Sequence, residues 1–197
     1  MADVLNIISI CVVAYRLAPF IFVTFFTLSS VLNQDLKGVI YLIGLIISTF
    51  VAVSVSNSGL ISFVGTTAGK CSPFTLLEGK LMSNIPLSQV VFSYTFSYLA
   101  YVIIKYKYVA SNIPLLVLFP ALIIYDMYQT VTTGCTTAQG SMAGLFIGGI
   151  VGSIWASIID ATKITKLQYY TGLSTRQTCS IPSKQTFRCT QKNTAAN

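Results

Sequence analysis

The sequence predicts an all-α integral membrane protein. A bundle of about five transmembrane helices occupies residues 1–160, and an extended, basic C-terminal segment occupies 161–197. Three observations carry this prediction. The 197 residues are 54% hydrophobic and 9% charged, whereas soluble domains carry about a quarter charged residues. Mean hydropathy is +0.74. The apolar residues gather in runs close to the length that crosses hydrocarbon, about 17–25 residues as helix.

The runs give the elements in order. The first span is predicted over 17–32, and the apolar approach over 4–13 would join it as one tilted helix. The N-terminus lacks the basic stretch of a cleaved signal sequence. The second span covers 38–55. The third covers 86–104, with Pro86 suited to the first helical position, where its missing N–H costs nothing. The fourth covers 113–127 and the fifth 141–159. Helices are expected throughout, because hydrocarbon offers no partner to a free backbone N–H or C=O.

Basic residues set the expected orientation. Five spans place Lys37, Lys105, Lys107, Lys163, Lys166, Arg176, Lys184, Arg188 and Lys192 on one side, against Arg16, Lys70 and Lys80 on the other. Nine against three puts the C-terminus on the cytosolic side. "YKY" at Tyr106–Tyr108 and the pair Tyr169 and Tyr170 suit headgroup depth, where aromatic belts form.

The fifth span repeats small residues every four positions: Gly140, Gly144, Gly148, Gly152 and Ala156. Such a ladder lets another backbone approach closely. The expected neighbour is a helix of the same bundle, with self-association as the alternative.

Intramembrane charge is sparse. Asp126 lies near the end of the fourth span and Arg16 at the start of the first. A pump or ion-coupled carrier needs more. Asp126 is expected at the interface, bonded to a hydroxyl or a basic side chain. The chain has no histidine, the usual general base at neutral pH. No catalytic residue, metal ligand or cofactor is therefore assigned, and no nucleic-acid partner. Membrane lipids are the expected surroundings. The five cysteines form no CxxC pair, the spacing a zinc site prefers. Cys71 and Cys135 share the non-cytosolic side, where an oxidising lumen would allow a disulfide. Free thiols are the alternative.

The segment "TCSIPSKQTFRCTQKNTAAN" has Ile181 and Phe187 as its only large apolar side chains after Leu173. It has no core of its own, so any order must come from a surface it lies on. Headgroups would attract Lys184, Arg188 and Lys192 diffusely, at about 1 kcal/mol each. A protein surface is the expected partner, with Ile181 and Phe187 as anchors, Pro182 restricting the chain, and Lys184 and Arg188 reading acidic groups.

Two resemblances bear on function. "GKCSP" at Gly69–Pro73, "SNIPLSQ" at Ser83–Gln89 and "GCTTAQGSMAG" at Gly134–Gly144 resemble, in order and placement, the motifs of the membrane phosphatidic-acid phosphatase (PAP2) family. Gln89 and Thr136 stand where that family has its histidines, Gly140 where it has the orienting acid, and Thr130 where it has an arginine. A phosphohistidine mechanism cannot run without its nucleophile. This resemblance implies a fold retained without catalysis, binding lipid at most. "CSIPSKQTFRC" at Cys179–Cys189 is similar to the endings of small multi-span proteins of large icosahedral DNA viruses, chlorovirus- and mimivirus-like. It implies a structural protein of a viral inner membrane derived from host endoplasmic reticulum, its C-terminal segment docked on capsid or minor capsid proteins.

Overall fold

The computed structural model describes residues 2–58, 85–134 and 136–163, with side chains from residue 17 onward. Among these it is entirely helical. Five α-helices follow in order: α1 Ala2–Leu32, α2 Lys37–Asn57, α3 Leu87–Lys105, α4 Ile113–Thr132 and α5 Ala138–Ala161. A short 3-10 turn, Val109–Ser111, joins α3 to α4.

Four of the helices, α2 to α5, are long and apolar enough to cross a membrane. Helix α1 is continuous through Pro19 for 31 residues, so the apolar approach over 4–13 and the run over 17–32 do form one helix; it rises about 46 Å, more than the ~30 Å hydrocarbon layer.

The helix ends depart from expectation for local reasons. Pro86 is the extended N-cap of α3, at φ −67° and ψ 114°, so the helix opens one residue later, at Leu87. Helix α4 runs to Thr132 rather than 127. Its last turn is polar but self-satisfying: Thr130 Oγ1 donates to the Asp126 carbonyl at 2.7 Å, and Thr132 Oγ1 to that of Tyr128 at 2.7 Å. Such back-bonding lets hydroxyl residues continue a helix. Helix α5 begins at Ala138 because Thr137 caps it, its hydroxyl accepting from the Gly140 N–H at 3.2 Å; threonine is a favoured residue at that position.

Helix α3 is the hub. It lies against α2, α4 and most extensively α5. Its buried face carries Tyr94 and Tyr98, which meet Tyr41 of α2 at ring-centroid distances of 5.6 and 5.9 Å. A buried tyrosine needs a partner for its hydroxyl. Tyr41 Oη and Thr95 Oγ1 are 2.7 Å apart, and Tyr94 Oη donates to the Tyr41 carbonyl at 3.1 Å. Phe26, Leu99, Val102, Ile103 and Phe119 complete this core.

Helix α2 meets α5 at Gly44. A Cβ there would collide with the Tyr94 hydroxyl and the Trp155 ring. Trp155 Nε1 donates across the same seam to the Ile40 carbonyl at 3.0 Å.

The α1–α2 turn is built on two side chains. Ser30 Oγ donates to Asp35 Oδ1 at 2.8 Å and accepts from the Gly38 N–H at 2.9 Å. Asp35 accepts from the Lys37 N–H at 3.3 Å, and its other carboxylate oxygen sits 3.2 Å from Lys37 Nζ. Desolvation works to raise the Asp35 pKa, but the Ser30 hydroxyl and the Lys37 amide and ammonium together hold it below the usual value. A depressed carboxylate stabilises the fold above its unfolded-state pKa, and that contribution is lost as pH falls through the folded value. Acidification below about pH 4 is therefore expected to loosen this turn. Hydrogen exchange at the amides of Lys37 and Gly38 should rise with acid in the native chain, and Asp35→Asn should abolish that acid dependence.

Candidate functional site

The two ends of the bundle differ in chemistry. At one end α2 begins and α3 and α5 finish, which gathers Asp35, Lys37, Lys105, Lys107, Asp160 and Lys163. Lys105 Nζ pairs with Asp160 Oδ2, and the Tyr106 hydroxyl donates to Asp160 Oδ1 at 2.7 Å. These contacts tie the C-terminal turn of α5 to the end of α3. The chain beyond Lys163 departs from this basic end. The partner-binding residues expected there, Ile181, Pro182, Lys184, Phe187 and Arg188, lie outside the described residues.

The small-residue ladder faces α3. Gly140, Gly144, Gly148, Gly152 and Ala156 are all buried. A Cβ on Gly144 would lie 3.1 Å from Ile85 Cγ2 and 3.4 Å from Gln89 Cβ. One on Gly148 would lie 2.6 Å from the Val90 carbonyl oxygen and 2.9 Å from the Tyr94 nitrogen. One on Gly152 would lie 2.6 Å from the Tyr94 carbonyl oxygen. Contacts that advance together along both helices mean that α3 and α5 run parallel, backbone against backbone. At Gly148 and Gly152 only a residue without a Cβ allows this approach.

The opposite end, where α3 and α5 begin and α4 finishes, is polar. Asp126 is 3% exposed, buried between helices. Ser88 Oγ donates to both of its carboxylate oxygens, at 3.0 and 3.2 Å. The hydroxyls of Thr130 and Ser141 approach to 3.5 Å. Thr136 is buried beside the α5 cap. Gln89 is fully buried, and neither of its amide atoms has a hydrogen-bond partner; Ser48 Oγ on α2 is in the same state. Nothing in the residue pattern foretold these two orphan groups.

Four positions singled out in the sequence, Gln89, Thr130, Thr136 and Gly140, thus gather at one end. The chemistry there is weak. Ser88 and Asp126 form a hydroxyl–carboxylate pair, but the imidazole that relays a serine proton in hydrolases has no counterpart in a chain without histidine. A carboxylate alone is a poor base for a hydroxyl. The pair reads better as a clasp between α3 and α4. Among the described residues, no three His, Cys, Asp or Glu side chains cluster in a way that could hold a metal ion. Cys71, Cys135 and the "GKCSP" stretch lie outside the described residues.

No protein-family model, curated protein or solved structure matches this chain.

Proposed function

We propose that this chain is a structural membrane protein whose helices cross a bilayer and whose C-terminal segment, 161–197, binds a protein layer lying against that bilayer. One observation supports it most: α5 is fastened to α3 along its length by backbone contact, is tied again at its last turn by Asp160 with Lys105 and Tyr106, and leads directly into the basic segment. A load applied to that segment would pass into the bundle through a rigid helix. A core filled by Tyr41, Tyr94 and Tyr98 suits a scaffold better than a conduit.

The resemblance of the C-terminal segment sets the context. The bilayer would be the inner membrane of a large icosahedral DNA virus, and the layer its capsid or minor capsid proteins. The basic end would be cytosolic in the infected cell and capsid-facing in the particle. A bundle of this kind needs no cofactor.

Purified particles test the reading. The chain should copurify with intact virions at fixed stoichiometry and release no phosphate from phosphatidic acid. Recovery only with dispersed host membranes would overturn it. So would turnover above a detergent control that is lost in Gln89→Ala or Thr136→Ala.

A further inference from the structure

Helices α4 and α5 pack only sparsely against each other. They meet at the polar end, where Thr130 and Ser141 come together. Toward the basic end they are parted by a cleft of about 620 Å³, floored by α3. Its floor is Ser93, Phe96 and Ser97; its walls include Pro120 of α4 and Gly149 and Ile154 of α5. The Ser93 hydroxyl is spent on the Leu145 carbonyl and that of Ser153 on the Gly149 carbonyl. Among the described residues, no side chain lining the cleft is charged.

The lining residues fall at 93–97 of α3, 120–124 of α4 and 145–154 of α5. Each set lies near the middle of its helix. If the helices cross a bilayer, as proposed above, the cleft opens sideways at the depth of the hydrocarbon. Water and headgroups do not reach that depth. An unfilled slot would forfeit dispersion contacts along its walls. The Thr130–Ser141 and Ser88–Asp126 contacts join α4 to α5 and α3 at the polar end, where a transmembrane helix about 10 Å across would have to part them. A thin flexible acyl chain is what the hydrocarbon layer supplies at this depth.

We propose that this cleft is a lipid site that holds one acyl chain of a membrane phospholipid, with Gly149 as the residue that keeps the slot open. Gly149 adjoins the helix-packing Gly148 but serves a different purpose. A Cβ on it would sit 3.4 Å from Ser93 Oγ and from Ser97 Oγ, ordinary contact. Gly149 lines the cleft, so a larger side chain there would take up part of its volume.

The full chain, placed in phosphatidylcholine bilayers whose acyl chains carry a mid-chain photoreactive diazirine, tests this. After illumination, adducts at Ser97, Gly149 and Ser153 should exceed those at Ile46 and Phe50, outward-facing residues of α2, by several-fold. Gly149→Leu should bring the cleft adducts down to the α2 level and leave the Phe50 adducts unchanged. Equal labelling of cleft and α2 face in the native chain would overturn the site, whether or not the variant folds. Protein–protein cross-links at the cleft in place of lipid adducts would overturn it in favour of a second copy of the chain. Absence of labelling at Ile46 and Phe50 as well would instead overturn the membrane-spanning reading on which the site rests.

Discussion

Gly148→Leu is expected to lower the thermal unfolding midpoint of the detergent-solubilised chain sharply, by a loss of a few kcal/mol. The first added atom would already stand 2.6 Å from the Val90 carbonyl oxygen and 2.9 Å from the Tyr94 nitrogen. Both are backbone atoms of α3, so no rotamer change relieves the clash. Either α5 moves away along its length or the bundle repacks, and overpacking of this kind costs about 1–3 kcal/mol, occasionally more. Displacement would also strip contacts from Gly144 and Gly152, which sit in the same seam. Gly149→Ala provides the control one position away, where the added carbon meets only ordinary contacts at 3.4 Å; its midpoint should stay near that of the native chain. If Gly148→Leu melts with the native protein, α5 is not held to α3 as described.

The second large effect concerns residues 178–197. Deleting them should leave the helices inserted and the unfolding midpoint unchanged, because Ile181 and Phe187 are the only large apolar side chains the segment could add to a core. Recruitment to particles should be lost. The same outcome should follow more selectively from replacing Ile181 and Phe187 together with serine, which removes the only large apolar anchors of that segment while keeping its charge. Replacing Lys184 and Arg188 should weaken binding in a salt-dependent way, since exposed charge pairs are screened over about 8–10 Å at physiological ionic strength. Entry of the truncated chain into virions at native copy number would remove the segment from the contact.

Much of the helical order was legible because composition and run length speak directly to it. The spacing of Gly140 to Ala156 marked one face of α5 in advance, since a period of four on a helix admits few readings. Its partner was not legible. Nothing in Val90 or Tyr94 announces that their backbone lies under a glycine, and only the fold pairs them. Tyrosine misled in one respect: the residues that stood out, Tyr106 and Tyr108, flank a lysine, while the tyrosines that organise the core, Tyr41, Tyr94 and Tyr98, sit inside apolar runs and look like ordinary span residues. Asp126 was expected to bond a hydroxyl or a basic side chain, since an unpaired carboxylate within a span is costly, and it does; which hydroxyl was not legible, because Ser88 lies one helix and 38 sequence positions away. The orphan amide of Gln89 was invisible for the same reason. Burial is a property of neighbours, and Gly144 of α5 is one of them. The first span was legible too, since the approach over 4–13 and the run over 17–32 form the single helix Ala2–Leu32.

The central claim is that the bundle delivers its C-terminal segment to a protein layer beside the membrane. Lysine-directed cross-linking of intact particles, read by mass spectrometry, tests it most directly. Lys184 and Lys192 should link to a single protein species of that layer, at sites near its acidic residues, and the links should vanish when Ile181 and Phe187 are replaced with serine. Links confined to the chain's own Lys105, Lys107 and Lys163, with none to another protein, would contradict the account.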